Sequence, residues 1–400
     1  MVNRIFDAGE SFIQEIRLKF LKSETIKLFL NSLRLKDFRN YEELQVDFSN
    51  SINVLIGDNA QGKTNLLEAI YLLSMARSHR DNNDHDLINW SADAADILGE
   101  VQTKSGKFPL EVQITKSGKK VFVNHLIENR LSNYIGNFNT VLFAPEDLDL
   151  VKGAPGGRRK FIDSEFGQMS ANYLFNLLQY REALKNRNAY FKNIQWTAAK
   201  PKIDEIYLTV LDDELIKYGS EIIFQRFALV QTLEKYSFEI HKAISNTEEL
   251  KINYMSFAGI DERSTIPEIS EIFKKQLLKN RTRELFLKST TVGPHHDDLN
   301  FFINQKEVGS FASQGQQRTT ALSIRLAEIE MMKYETGEYP ILLLDDVLSE
   351  LDGDRQTQLL RFIQDKVQTF LTTTSLSDVE KELIKNPKIY QVKDGRLING

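Results

Sequence analysis

Residues 52 to 70, INVLIGDNAQGKTNLLEAI, restrict what this chain can fold into more than any other stretch. The spacing G-x-x-x-x-G-K-T runs from Gly57 to Thr64, between an apolar strand-like run and a helical one with Leu66, Leu67, Ala69, Ile70 and Leu73 on one face. A strand, a glycine turn and a helix in that order make a phosphate-cradling loop. Gly57 and Gly62 let the backbone curl, so that the N–H groups of Asp58, Asn59, Ala60, Gln61 and the residues to Asn65 point at phosphate oxygens. Lys63 is placed to reach the β and γ phosphates, and the Thr64 hydroxyl to ligate Mg²⁺.

A loop of this kind needs a second, acidic element, and YPILLLDDVLSELD (339 to 352) supplies it. Ile341 to Leu344 read as a strand buried on both faces, with Asp345 and Asp346 at its C-terminal end, where open α/β sheets bind ligands. Asp345 suits Mg²⁺ held through water. Asp346 suits the attacking water, as base or orienter, with Lys63 as its catalytic companion on the phosphates.

The helix opening SQGQQRTTALSIRLAE (313 to 328) then needs an explanation. A helix start leaves about four N–H groups without partners, and these with the helix dipole favour an anion. One reading is a cap in which Ser313 simply closes the helix. The other is a second phosphate site.

Around these motifs the chain alternates between β and α character. SLRLKDF, EELQVDF, DILGEVQ, PLEVQIT and KKVFVN read as an antiparallel patch, with a hairpin turn at Ser117 and Gly118. From Arg158 to about Ser245 the period is helical, interrupted at Pro201, and no apolar heptad is sustained long enough for a coiled-coil arm. KINYMSF, the helix IPEISEIFKKQLLKN and a return to β at TTVGPHHDDLNFFIN follow. Residues before Ser32 read as an amphipathic helix. The 400 residues exceed one compact domain, the absence of cysteine excludes disulfides and thiolate metal sites, and no apolar run can span a bilayer. The opening MVNRIFDAGESF lacks a secretory pattern, so a cytoplasmic protein is the expectation. The net charge of −5 means that any DNA binding must come from local basic patches, of which KGAPGGRRK, REALKNRNAYFK and KKQLLKNRTRELFLK are candidates.

The glycine loop, followed later by an S-Q-G-Q-Q helix start just ahead of an acidic strand, resembles the motif order of ABC-type ATPases. The stretch LRLKDFRNYEELQVDFS is similar to the SMC, Rad50 and RecF group, and VLFAPEDLDLVKGAPGGRRKFID (141 to 163) with TTVGPHHDDL (290 to 299) resemble segments of the RecF family. The resemblance covers residues 31 to 400. It implies an α/β fold: an ABC-type P-loop ATPase head, with a mixed sheet and an antiparallel β subdomain, and an inserted compact helical arm without a long coiled coil. The expected division is an N-terminal extension (1–30), a first head part with the P-loop (31–150), the arm (151–289) and a second head part with the signature motif and acidic strand (290–400).

It further implies that Ser313, Gln314, Gly315 and Gln316, with Asp352 of the SELD segment, contact a nucleotide bound by a second subunit. Gln314 stands where the usual motif has its first glycine. The implied activity is that of a DNA-stimulated, slow ATPase with ATP and Mg²⁺ as cofactors. ATP-bound dimers would clamp duplex DNA near single-strand gaps and, with RecR and RecO, promote RecA loading. Arg158, Arg159 and Lys160 are the expected DNA contacts, followed by the 274 to 288 helix. The alternative is an SMC-like structural clamp with incidental hydrolysis. A small-molecule kinase leaves SQGQQ and SELD without a role, and a transporter subunit lacks its switch histidine, since Thr372 to Thr374 stand there. Three departures stand out: His296 at the usual arginine of the second segment, Ala60 at a usual glycine, and no glutamine near Ala144. Ala60 is harmless provided it avoids positive φ. On a strand, His295 and His296 would face opposite ways and could not share a metal. His295 and Asp297 are expected to hold the junction of arm and head.

Overall fold

The computed structural model describes residues 28–81, 83–197, 200–245, 247–375 and 387–399. The expected N-terminal helix lies outside them, except that Phe29 and Leu30 open the first strand, β1 (Phe29–Phe38). With β2 (Tyr41–Asp47), β4 (Ala94–Thr103), β5 (Gly106–Thr115), β6 (Gly118–Val123) and β7 (Leu126–Glu128), it builds an antiparallel sheet in the order β2-β1-β4-β5-β6-β7. Alternation does the sorting: in β4, Ala95, Ile97 and Val101 are buried while Asp96, Leu98 and Glu100 are less so.

The second sheet contains the strand before the glycine loop, β3 (Ile52–Ile56), and the acidic strand, β12 (Ile341–Leu344). Between them lies β13 (Thr369–Thr373), beside β12 is β8 (Thr140–Phe143), and beyond β3 lies the hairpin of β14 (Lys388–Lys393) and β15 (Arg396–Asn399). All neighbours pair parallel except β14 and β15. Both faces are covered, and the period of two divides each strand between two cores. Ile341 and Leu343 of β12 join one, and Leu342 and Leu344 the other.

The helix after the glycine loop, α1 (Lys63–Met75), fills the space between the two sheets. The sequence pattern gives it one apolar face; the structure buries it on every side, Tyr71, Leu72 and Met75 included, because it is sandwiched rather than laid on a surface. The other face of the parallel sheet is covered by α6 (Gln314–Thr336), with α7 (Gly353–Ile363) in the same core.

The helical part comprises α2 (Pro155–Met169), α3 (Ala171–Asn193), α4 (Glu205–Ser245) and α5 (Ile266–Leu287). The long α4 packs on α3, α5, α6 and the strand β9 (Leu250–Met255), which pairs antiparallel with β10 (Asp298–Ile303), itself paired with the short β11 (Lys306–Glu307). Two guanidiniums are fully buried in this module. Arg187 donates to Asp212 Oδ1 at 2.7 Å and Thr290 Oγ1 at 2.8 Å. Arg226 donates to Asp163 Oδ1 at 2.7 Å, Pro294 O at 2.7 Å and Asp297 Oδ2 at 3.5 Å.

The TTVGPHHDD stretch differs from its expected form. It is a turn that becomes strand only at Asp298, because Gly293 takes φ 134 and Pro294 follows it. His295 and His296 therefore lie ring to ring at 4.2 Å instead of on opposite faces, each with Nε2 3.2 Å from the Thr290 carbonyl. His295 Nδ1 also meets the Tyr180 hydroxyl at 2.5 Å, and burial pushes its imidazole down to about 3. Asp297 accepts from Tyr254 and, at 3.0 Å, from Ser256; burial pushes its carboxyl up to about 6 against the pull of Arg226. A Cβ on Gly293 would stand 2.3 Å from the Tyr180 hydroxyl, so no other residue fits the turn.

Candidate nucleotide site

The strand order places the end of β3 and the end of β12 at the same edge, one strand apart, with β13 between them. Asn59, Ala60, Gly62, Lys63, Thr64, Asn65, Arg80, Asp345, Asp346 and Thr372 line a polar cleft there. Lys63 Nζ donates to the carbonyls of Gly57 at 2.5 Å and Asp58 at 2.9 Å, which draws the loop around the ammonium. Burial lowers its pKa, while Asp346, Asp345 and Asp58 oppose the shift.

Thr64 Oγ1 donates to Asp345 Oδ1 at 3.0 Å, and Thr372 Oγ1 to the same oxygen at 2.9 Å. The Asp346 N–H donates to Thr372 Oγ1 at 2.8 Å. Thr372 thus positions both aspartates from the middle strand. A threonine hydroxyl and a carboxylate converging at this distance are hard oxygen donors suited to Mg²⁺, which takes one or two carboxylate contacts and leaves the rest to phosphate and water. Asp346 has φ 53, a left-handed conformation that an aspartate tolerates better than most side chains.

Ala60 also has φ 65, so the condition under which it replaces glycine harmlessly is not met. The loop is stretched between Gly57 and Gly62 and must turn left-handed there, at a cost of about 1 kcal/mol for an alanine.

The residues that brace the loop belong to no phosphate-binding motif in the sequence. Asn40 Nδ2 donates to Gln61 O at 3.1 Å, Asn65 Nδ2 to Asn40 Oδ1 at 2.8 Å, and the Tyr41 hydroxyl to Gly62 O at 3.0 Å. From the other side, the β14–β15 turn donates Gly395 N–H to Gln61 O at 3.0 Å and Asp394 N–H to Gln61 Oε1 at 2.8 Å. Arg39 pairs with the buried Glu68 of α1 through Nε at 2.9 Å and Nη2 at 2.8 Å, and with Asp81. Only the adjacency of F-R-N-Y to the first strand could have signalled this, and adjacency in sequence does not specify a contact across 21 residues.

The remaining expected residues are elsewhere. None of residues 313–316, nor Asp352, lines the cleft of its own chain. Ser313 caps α6: its Oγ accepts from Gln316 N–H at 3.2 Å while its own N–H donates to Gln316 Oε1 at 2.8 Å. Gln316 Nε2 donates to Glu248 Oε1 at 2.8 Å. The Gln316 amide is therefore engaged at both ends, and the structural cap exists whatever else this turn does. Asp352 caps α7, accepting from Arg355 N–H at 3.0 Å.

The basic triplet on α2 separates. Arg158 is bidentate on Asp298, at 2.7 and 2.8 Å, and donates to Gly153 O at 2.6 Å; Arg159 donates to Asp297 O at 2.9 Å. The turn after Gly293 brings both aspartates against the start of α2, so Arg158 is an internal ion pair rather than a free cation. Lys160 is exposed. On α5, Lys274, Lys279 and Arg283 are exposed as well, as is Lys288 just past its end.

With this geometry in hand, similarity to known proteins is informative. The RecF/RecN/SMC N terminal domain profile matches residues 29–397. The DNA replication and repair protein RecF of Oenococcus oeni is 82% identical over 373 residues, covering 93% of this chain and 100% of the relative. The chain belongs to the RecF family. The RecF of Pediococcus pentosaceus is 54% identical, over 93% of this chain and 99% of its own. Among solved structures, a recombination mediator protein RecF with ATP, of the RecFOR pathway, superposes with TM-score 0.87 at 35% identity, covering 94% of this chain and 99% of that one. A Smc head domain from Pyrococcus furiosus reaches TM-score 0.52 at 15% identity over 93% of this chain and 96% of that one, which shows the shared ATPase-head fold of RecF and SMC proteins. The longest described helix of this RecF-family chain has 41 residues and packs along its own head. No helix among the described residues is long and apolar enough to cross a membrane.

Proposed function

We propose that the protein is an ATP-gated DNA clamp of recombinational repair and replication restart. The observation that carries this reading is the division of the site: the phosphate loop and both aspartates line one cleft, while the Ser313 turn and Asp352 lie outside it. Two copies meeting face to face complete each other's site, with Ser313, Gln314 and Gly315 offering the first turn of α6 to the partner's γ-phosphate. Gln316 contributes through the cap it forms with Ser313 rather than through a free amide.

Lys63 binds the β and γ oxygens. Thr64 and Asp345 hold Mg²⁺, which neutralises phosphate charge when bound. Asp346 orients the attacking water, and turnover is slow because a single aspartate, not a glutamate, is the base. Loss of the γ-phosphate removes contacts that only the dimer makes, and the equilibrium returns to monomers. Duplex DNA near single-strand gaps lies against Lys160, with Arg159 beside it, and the exposed cations of α5. Such binding is to phosphates and falls steeply with salt. RecR and RecO are the partners through which the clamp promotes RecA loading.

The test is Ser313→Arg. The variant is expected to bind ATP as a monomer like the parent and to form no dimer by light scattering with ATP and gapped DNA, because a bulky cation fills the turn that faces the partner. A normal dimer would refute the shared site. Asp346→Asn is expected to cut hydrolysis by about 10²-fold while the ATP-bound dimer persists on DNA. Undiminished turnover would remove Asp346 from its role.

A further inference from the structure

The Arg355 side chain touches both elements expected to reach a partner's nucleotide. It lies in the first turn of α7, three residues after Asp352, and its guanidinium has three different acceptors. Nη1 meets the Asp352 carboxylate, Nε donates to Thr319 Oγ1 at 2.9 Å, and Nη2 donates to Gly315 O at 3.2 Å. Gly315 is inside the S-Q-G-Q-Q turn, and Thr319 is one helical turn further along α6, where its hydroxyl also donates to Gly315 O at 3.0 Å. The side chain is about three-quarters buried, with a relative exposure of 23%. The segment before it is held as well: Gln356 Nε2 donates to the carbonyls of Leu348 at 2.6 Å and Leu351 at 3.1 Å.

From this geometry we infer that Arg355 is a positioning residue that locks the SELD segment and the first turn of the signature helix into one rigid surface. The inference rests on the shared site proposed above, and adds how its second half is kept in register. A planar guanidinium suits this task because its donors diverge in fixed directions, so that satisfying three acceptors fixes their relative placement. Two loops presented separately would each lose conformational freedom on meeting the partner. Joined through Arg355, they lose that freedom on folding, and dimerisation is favoured accordingly. Arg355 also leaves the first N–H groups of α6 untouched, since it takes the carbonyl of Gly315 and not its amide.

Five full-length proteins decide the matter: parent, Arg355→Ala, Arg355→Lys, Thr319→Val and the double variant Arg355→Ala/Thr319→Val, which closes a cycle with the two single changes. Nucleotide affinity of the monomer is read with a fluorescent ATP analogue, and ATP-dependent dimerisation by light scattering. Arg355→Ala is expected to keep the parent's nucleotide affinity and to weaken dimerisation roughly tenfold or more, the usual size of coupling within one hydrogen-bonded network. Arg355→Lys, with the charge but no fork, recovers only part of it. Thr319→Val weakens dimerisation less, and costs less in the Arg355→Ala background than in the parent, because there only its own bond to Gly315 O is left to lose. A general loss of fold would lower nucleotide affinity too, and would not respond to lysine. Arg355→Ala dimerising like the parent, while Ser313→Arg fails to, would overturn the inference and leave the shared site standing. A parent that does not dimerise with ATP would overturn both.

Discussion

Lys63→Met is expected to bind ATP roughly 10²-fold more weakly than the parent, or not measurably, with little change in melting temperature. The ammonium sits between the carbonyls of Gly57 and Asp58, facing Asp345 and Asp346, and is the one cation inside the glycine loop. A charge-assisted contact to phosphate contributes about 1.5–3 kcal/mol each, and Lys63 is placed to make two. Methionine keeps the stem and the packing of α1 but removes the charge, leaving two aspartates to repel the triphosphate. The fold should survive, since α1 is held by apolar contacts on every side and by Arg39 on Glu68. Equilibrium binding of a fluorescent ATP analogue checks this. ATP-dependent dimerisation that persists in Lys63→Met contradicts the assignment of the loop.

Arg226→Met should destabilise the folded chain by about 3–5 kcal/mol, through a different mechanism. Arg226 is buried among Tyr173, Asp163, Tyr254, Asp297 and the carbonyl of Pro294. Methionine fills most of the volume and leaves two carboxylates without their guanidinium. Asp297 is already pushed up to about 6 by burial, above its unfolded value, so its contribution favours folding on the acid side and is lost as pH rises through that value. Removing Arg226 raises it further. The deficit is thus expected to be largest at alkaline pH, to shrink as pH falls from the variant's higher value toward about 6, where the variant's Asp297 has already taken up its proton, and to level off below that. Urea unfolding of parent and variant across this range measures it. A deficit under about 1 kcal/mol, or one that grows on acidification, would show that the network is not what holds the GPHHDD turn to α2, α3 and α4.

Much of this protein was legible one residue at a time. Gly57 to Thr64 and the Ile341 to Asp346 run each carry their meaning locally, since a glycine turn between strand and helix, or two carboxylates ending a buried strand, has one economical use. The helical module and the antiparallel sheet followed from periods of 3.6 and 2. Errors arose where a residue's role depends on what lies opposite. Arg158 reads as a free cation until Asp298 is seen beside it. His295 and His296 read as strand neighbours until Gly293 turns the chain.

By itself, then, the sequence determined which elements form and which chemistry the phosphate loop and acidic strand can support. These depend on backbone geometry and periodicity, which neighbours in the chain impose on one another. Only the tertiary structure decided partnership. It placed Thr372 between the two aspartates, set Asn40 and the β14–β15 turn on either side of Gln61, and turned Arg355 toward both Asp352 and Gly315. Hydrogen bonds act over about 3 Å whatever the separation along the chain, so a donor's partner is unknown until the fold brings the acceptor to it.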